Sequence, residues 1–321
     1  MSPTLRGALL SLAAFAAYAT HDVVVKFLGG HYSSFQTMFF AGLMGFPLVT
    51  ILLLSDRRDG TLIPRHPWWT AIRTVSAVVT GAMGFYAFSV LPMATCYAIF
   101  FAMPLFITLM AIPMLGEKVG LRRGIAVIVG LLGVLIVLRP GSGDSFSLGH
   151  LAALGAATTG SLSSIIVRKI GRDERSVVLM LYPMVLTFVA TGALMPFVYQ
   201  PMPVTHLALT AVMAFLGTLG ALGSIAAYRT APAVIVAPMQ YSQIIWAAIY
   251  GWLFFSESVD FYTAVGSAVI IASGIYIVLR EGTPSVSQNR PVLENRSRWE
   301  IGTFPRISSW LKRFERGGDQ A

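Results

Sequence analysis

The chain has 321 residues, of which 55% are hydrophobic and only 12% charged, and its mean hydropathy is +0.72. A water-soluble domain carries about 25% charged residues because its surface faces water; half that proportion excludes an ordinary soluble protein and implies a surface facing lipid. The formal net charge of +9 could suit nucleic acid, but the basic residues lie between apolar runs rather than along one stripe, so membrane topology accounts for them and no nucleic-acid partner is expected.

A helix rises about 1.5 Å per residue, so about 20 apolar residues span a hydrocarbon core of roughly 30 Å. The first run of that length covers residues 5–28. Arg6 and the Ala17-Tyr18-Ala19 triplet imitate a cleavable leader, but the run continues through Val23, Val24 and Val25 to Leu28, so it is expected to remain as a spanning helix. It contains His21 and Asp22, an adjacent ionisable pair deep in a segment. Asp22 and Lys26 stand at i, i+4, the spacing of a simple ion pair. The other reading is a gate that couples proton flow to transport, since histidine changes charge near neutral pH.

Segments at 33–54 and 68–88 follow, then 93–115. In the last, Tyr97, Phe101, Pro104 and Thr108 share one helical face, and Pro104 should kink it. Tyr97 and Phe101 could stack on an aromatic or amphipathic solute, although a core stripe has the same pattern. A fifth segment at 121–138 has glycines at 130 and 133 that would let helices approach closely. The sixth to eighth segments cover 148–167, 177–198 and 207–228.

The ninth segment, 233–255, places Gln240, Gln243 and Ala247 at i, i+3, i+7, which is one face of a continuous helix. Each glutamine offers donors and an acceptor to a zwitterionic solute, or bonds across helices as glue. Tyr241 and Trp246 would add aromatic contacts, and Pro238 should kink the helix. The tenth segment covers 261–279. Beyond it the basic stretch 282–321 carries Ile307, Trp310, Leu311 and Phe314 on one helical face, the pattern of a cytoplasmic interfacial helix, with disorder as the alternative.

Lys and Arg concentrate in loops that stay in the cytoplasm. Twelve of them fall in links on the side of the membrane that holds the N-terminus, before the basic stretch is counted, against Lys26 and Arg139 opposite, with Arg73 as an exception inside the third segment. Both termini are therefore expected in the cytoplasm. The lone cysteine, Cys96, permits no intramolecular disulfide. The sequence has no phosphate-binding loop, no HExxH and no paired-carboxylate arrangement, so neither an enzyme nor a bound cofactor or metal is expected.

The chain repeats itself. Gly81-Ala82-Met83-Gly84 returns as Gly220-Ala221-Leu222-Gly223, Pro92 as Pro232, Glu117 as Glu257, and Ile136 to Arg139 as Ile277 to Arg280. The shared order and spacing divide the chain into 1–141, 142–281 and a basic cytoplasmic stretch 282–321. Five segments per copy is an odd number, so the second copy enters the membrane from the opposite side. Such inverted halves can alternately expose a central site, the architecture of many secondary transporters. The fold class expected is an all-α membrane protein of ten transmembrane helices in two inverted five-helix repeats. Glu117 and Glu257, ending matching helices, read as turn or gate contacts.

The stretch from Tyr86 to Gly141, with its YAFSVLPMA run, LGEK and GLLGVLIVLRPG, resembles the EamA repeat of the drug/metabolite transporter superfamily. The stretch from Tyr228 to Gly282 resembles a second copy. The resemblance implies a ten-helix carrier in the cell (inner) membrane, many relatives exporting amino acids or other metabolites, and the YddG-like branch exporting aromatic amino acids. It departs from the family at Tyr18-Ala19, where a Trp-Gly pair is usual, and at Pro238, Gln240 and Gln243. The expected activity is export of a small amphipathic metabolite, an aromatic or apolar amino acid first, by alternating access. Tyr97, Phe101, Gln240, Tyr241, Gln243 and Trp246 would contact substrate, with His21 and Asp22 as gate or proton-coupling residues. The expected partners are the solute and the bilayer, and the expected state is a monomer or weak homo-oligomer. A drug or cationic-compound exporter is the alternative within transport, and a non-transporting scaffold or sensor the alternative outside it.

Overall fold

The computed structural model describes residues 3–54, 62–116, 120–140, 146–171 and 173–281. Every regular element among them is an α-helix. The first half comprises α1 (Pro3–Gly29), α2 (Ser34–Leu54), α3 (Pro67–Val90), α4 (Met93–Phe100), α5 (Met103–Leu115) and α6 (Leu121–Leu138). The second comprises α7 (Leu148–Ile170), α8 (Ser176–Val198), α9 (Val204–Thr230), α10 (Ala233–Met239), α11 (Ser242–Phe255) and α12 (Phe261–Glu281). Eight spans among the described residues, with α4 and α5 taken as one, are long and apolar enough to cross a membrane. Glu117 and the basic stretch 282–321 lie outside the described residues.

The fourth and ninth segments, expected as single kinked helices, are each two helices. Proline removes a backbone donor and crowds the preceding turn. Pro104 enters just after the first break, at Phe101 and Ala102, whereas Pro238 precedes the second, at Gln240 and Tyr241. The prolines do not match between the halves, yet the breaks do, and Phe101 meets Tyr241 edge to face with ring centroids 4.9 Å apart. The second break leaves Gln240 off the helix that carries Gln243. The buried face of α11 is instead Gln243, Ala247 and Gly251. Matching stops also end α5 and α11, where Gly116 and Ser256 take left-handed backbone conformations at φ 69° and 54°.

Packing follows the repeat. α1 lies along α9, and its repeat counterpart α7 lies along α3. α2 and α10–α11 join the first pair, while α8 and α4–α5 join the second. The result is two bodies, each drawing helices from both halves of the chain and joined directly where α2 packs on α8, with α6 and α12 packed together beside them. Small residues permit this last approach: a Cβ on Gly133 would lie 3.0 Å from the Gly266 carbonyl oxygen.

Contacts between the bodies are unequal at the two ends of the bundle. At the end bearing Lys26, α1 packs on α3, and α4 packs on α11. The counterparts under the repeat are α7 with α9 and α10 with α5, and no comparable packing joins them among the described residues. Side-chain links agree. Lys26 Nζ donates to the Leu91 carbonyl at 2.5 Å and pairs with Glu257 at 2.7 Å, while the second Glu257 oxygen accepts from Met93 N at 2.9 Å. One lysine and one glutamate thus join α1, the α3–α4 turn and the α11–α12 loop. At the opposite end the links seen among the described residues lie within one body: His66 N to Glu174, Lys169 Nζ to the Met114 carbonyl at 2.9 Å, and Lys169 over the Trp69 ring at 4.4 Å.

Candidate functional site

A cavity of about 280 Å³ separates the two bodies. One wall comes from α1, α2 and α9, the other from α3, α4, α5, α7 and α8. Phe46, Phe85, Phe88, Phe100 and Phe188 supply rings, and Met38, Met103, Met184 and Met213 supply thioethers. Thr80, Thr187 and Thr218 line it as well, and Gly42, Gly45, Gly84 and Gly217 contribute bare backbone. Gly42 faces open space, for a Cβ there would meet nothing within 4 Å. A chamber with apolar walls and few polar groups is the usual form of a small-molecule site.

His21 and Asp22 are the ionisable side chains among the described residues that line the cavity. They are 4% and 1% exposed. Asp22 Oδ1 lies 2.9 Å from His21 Nδ1, and its Oδ2 accepts from the Tyr97 hydroxyl. A carboxylate only accepts, so His21 Nδ1 carries a proton whenever Asp22 is ionised. The expected ion pair of Asp22 with Lys26 is not formed. Asp22 turns to His21 and Tyr97, whereas Lys26, one turn further on, reaches Glu257. Side-chain direction, which the i, i+4 spacing alone does not set, separates the two.

The other sequence-derived site residues form a layer outside the residues that line the cavity. Tyr97 is fully buried, joined to the cavity through Asp22, and Phe101 lies between Tyr97 and Tyr241 with centroids at 6.0 and 4.9 Å. Tyr241 packs against α12, where a Cβ on Gly274 would lie only 1.9 Å from its hydroxyl oxygen. Gln243 is buried on α11, Gln240 is half-buried at the break, and Trp246 stacks on Tyr250 at 5.9 Å. The structure therefore brings together His21, Asp22, Tyr97, Phe101 and Tyr241, with Gln240 against Tyr241 at the break, and leaves Trp246 apart from that chain of contacts. Sequence reasoning missed Phe85, Phe88, Phe100 and the Gly42–Gly45 pair. The spacing of Gly42, Gly45 and Phe46 on one side of α2 was the available signal.

At the Lys26 end, Gln36 and Gln200 tie α2 to the end of α8. Gln36 Nε2 donates to the Gln200 carbonyl at 2.6 Å, and Gln200 N donates to Gln36 Oε1 at 2.8 Å. Nearby Tyr32 bonds His206 Nδ1 at 2.7 Å.

Comparison with known proteins agrees with this architecture. The EamA-like transporter family model matches residues 5–139 and again 147–280. The S-adenosylmethionine uptake transporter of Rickettsia bellii (strain RML369-C) is 26% identical over 85% of this chain and 92% of its own length. The pseudopaline exporter CntI of Pseudomonas aeruginosa (strain UCBPP-PA14) is 25% identical over 84% and 94%. The riboflavin transporter of Rhizobium johnstonii is 27% identical over 86% and 91%. A solved crystal structure superposes with a TM-score of 0.52 at 17% identity, covering 86% of this chain and 96% of that one, which speaks to the fold alone. With two family repeats, a helical membrane fold and a chamber between its two bodies, the chain belongs to the EamA-like transporter family and is a multi-pass secondary transporter of small metabolites.

Proposed function

We propose that this chain moves a small amphipathic metabolite through the cavity between its two bodies by alternating access, with an apolar or aromatic amino acid as the first substrate to test. The observation that carries the reading is the cavity itself. It lies where the two bodies meet, its walls are rings, thioethers and bare backbone, and one buried ionisable pair marks its polar pole. Apolar walls hold the body of an amphipathic solute, and the pair fixes its orientation. Tyr97, Phe101, Tyr241 and Gln243 shape the layer behind, with Gln240 and Trp246 at its margin.

The concentration of Lys and Arg on one side supports cytoplasmic termini in a cell membrane, which directs the Lys26 end outward. The closed contacts at that end then form the outer gate. His21 and Asp22 are where coupling to protons would enter, since they are the titratable groups among the described residues that line the cavity. The test is counterflow into proteoliposomes of labelled tryptophan, S-adenosylmethionine and riboflavin, because only a carrier exchanges solute without a net gradient. Accumulation of at least one of the three, lost on Gly217→Trp, is expected. No counterflow of any of them would remove the reading.

A further inference from the structure

We infer that the cavity selects solutes bearing a positive charge, with Asp22 as the counter-ion. The inference rests on the carrier reading for its biological meaning, but on the lining of the cavity for its chemistry. No lysine or arginine is among the described residues that line the chamber; the ionisable ones are His21 and Asp22. With Asp22 ionised, that pair sums to −1 when His21 is neutral and to zero when it is protonated. It never becomes positive. His21 also cannot be turned to serve an anion freely, because its Nδ1 is committed to Asp22 at 2.9 Å.

The Phe85 ring lies near-perpendicular to the His21 ring with centroids 6.5 Å apart, and the Phe88 ring lies 5.5 Å from the Tyr97 ring whose hydroxyl holds Asp22, so the carboxylate sits among apolar rings. An anion entering this chamber would lose its hydration, meet rings and thioethers, and lie beside a carboxylate. A cation would lose its hydration and gain the carboxylate. The difference favours the cation. The ligand class is thus an ammonium, sulfonium or similar centre attached to a flat apolar body, which the bare backbone of Gly42 and Gly45 can accept. A zwitterionic amino acid meets half of this requirement, so its amine without the carboxylate should bind better.

The experiment is binding of two probes of similar size and opposite charge, tryptamine and indole-3-propionate, to the purified full-length protein in detergent, followed by counterflow in proteoliposomes. Tryptamine is expected to bind at least about tenfold more tightly, a preference that Asp22→Asn reduces by a similar factor and Asp22→Glu largely restores. Equal affinity, tighter binding of indole-3-propionate, or no binding of tryptamine would overturn the inference. The comparison in the unmodified protein decides the matter even if Asp22→Asn does not fold. Charge-selective binding without counterflow of any probe would sink the carrier reading and leave the cation site standing. Counterflow without charge preference would do the reverse.

Discussion

Asp22 shows how much of a site is decided by the direction a side chain takes. From spacing alone its natural partner is Lys26, yet in the folded chain it is held by His21 and Tyr97 while Lys26 leaves for another helix. The residue types of the polar pole were legible, because ionisable groups at membrane depth stand out against an apolar sequence. The aromatic lining was not, because Phe85, Phe88 and Phe100 look like any core stripe until the space beside them is known. Gly42 makes the same distinction testable. A glycine pressed against a neighbour and a glycine facing a void read alike, but here a Cβ would meet nothing within 4 Å. Gly42→Ala is therefore expected to leave stability and transport unchanged or slightly improve stability, by the helix preference of alanine over glycine, about 1 kcal/mol. Gly42→Trp should keep the protein folded, with an unchanged unfolding temperature, while cutting counterflow at least about tenfold by filling the chamber. A collapse in folded yield, or full activity, would show that this face of α2 does not border the solute.

Helix boundaries came out of the sequence well, since proline and glycine punctuate it at Pro92, Gly116, Pro140 and Pro232. What the sequence leaves open is how a proline acts once its helix is packed. Pro104 and Pro238 occupy different positions in their repeats, yet both segments break at equivalent places and the breaks touch through Phe101 and Tyr241. The junction between α6 and α12 depends on a different kind of contact. Asp260 accepts from Tyr262 N at 3.0 Å, Thr263 N at 3.1 Å and Thr263 Oγ1 at 2.6 Å, and receives Arg139 from the end of α6. Burial alone would raise its pKa, but the bonds from Thr263, the Arg139 charge and the Tyr262 amide outweigh that and hold it below the ordinary aspartate value of 3.8. A carboxyl depressed in the folded state stabilises above its unfolded pKa, and that contribution fades as pH falls through the folded value. Thermal stability should thus drop more steeply below about pH 4 in the parent protein than in Asp260→Asn, which is expected to start lower and titrate less. Identical acid profiles for the two would show that Asp260 does not secure this junction.

At the scale of the molecule, the inverted repeat was readable because a few anchors keep their order and spacing through both halves. The regrouping into two bodies was not readable, since each body combines helices from both halves and only three-dimensional packing reveals that α1 belongs with α9 and α3 with α7. The same regrouping gives the molecule a direction. Under a perfect two-fold, α7 and α9 would meet as α1 and α3 do; no comparable packing joins them among the described residues, and under the proposed alternating access the structure would be one of two related arrangements. In the other, the Lys26–Glu257 clamp would part and the far ends of α7 and α9 would close, carrying the chamber from one face to the other. The most direct test places spin labels, in a Cys96→Ala background, at His31 and Val90 to follow the Lys26 end and at Asp173 and Arg229 to follow the opposite end. Across conditions that shift the carrier between states, such as saturating solute or a change of pH, the two distances should move in opposition, one lengthening as the other shortens. Distances that both stay fixed while transport proceeds, or that lengthen and shorten together, would contradict it.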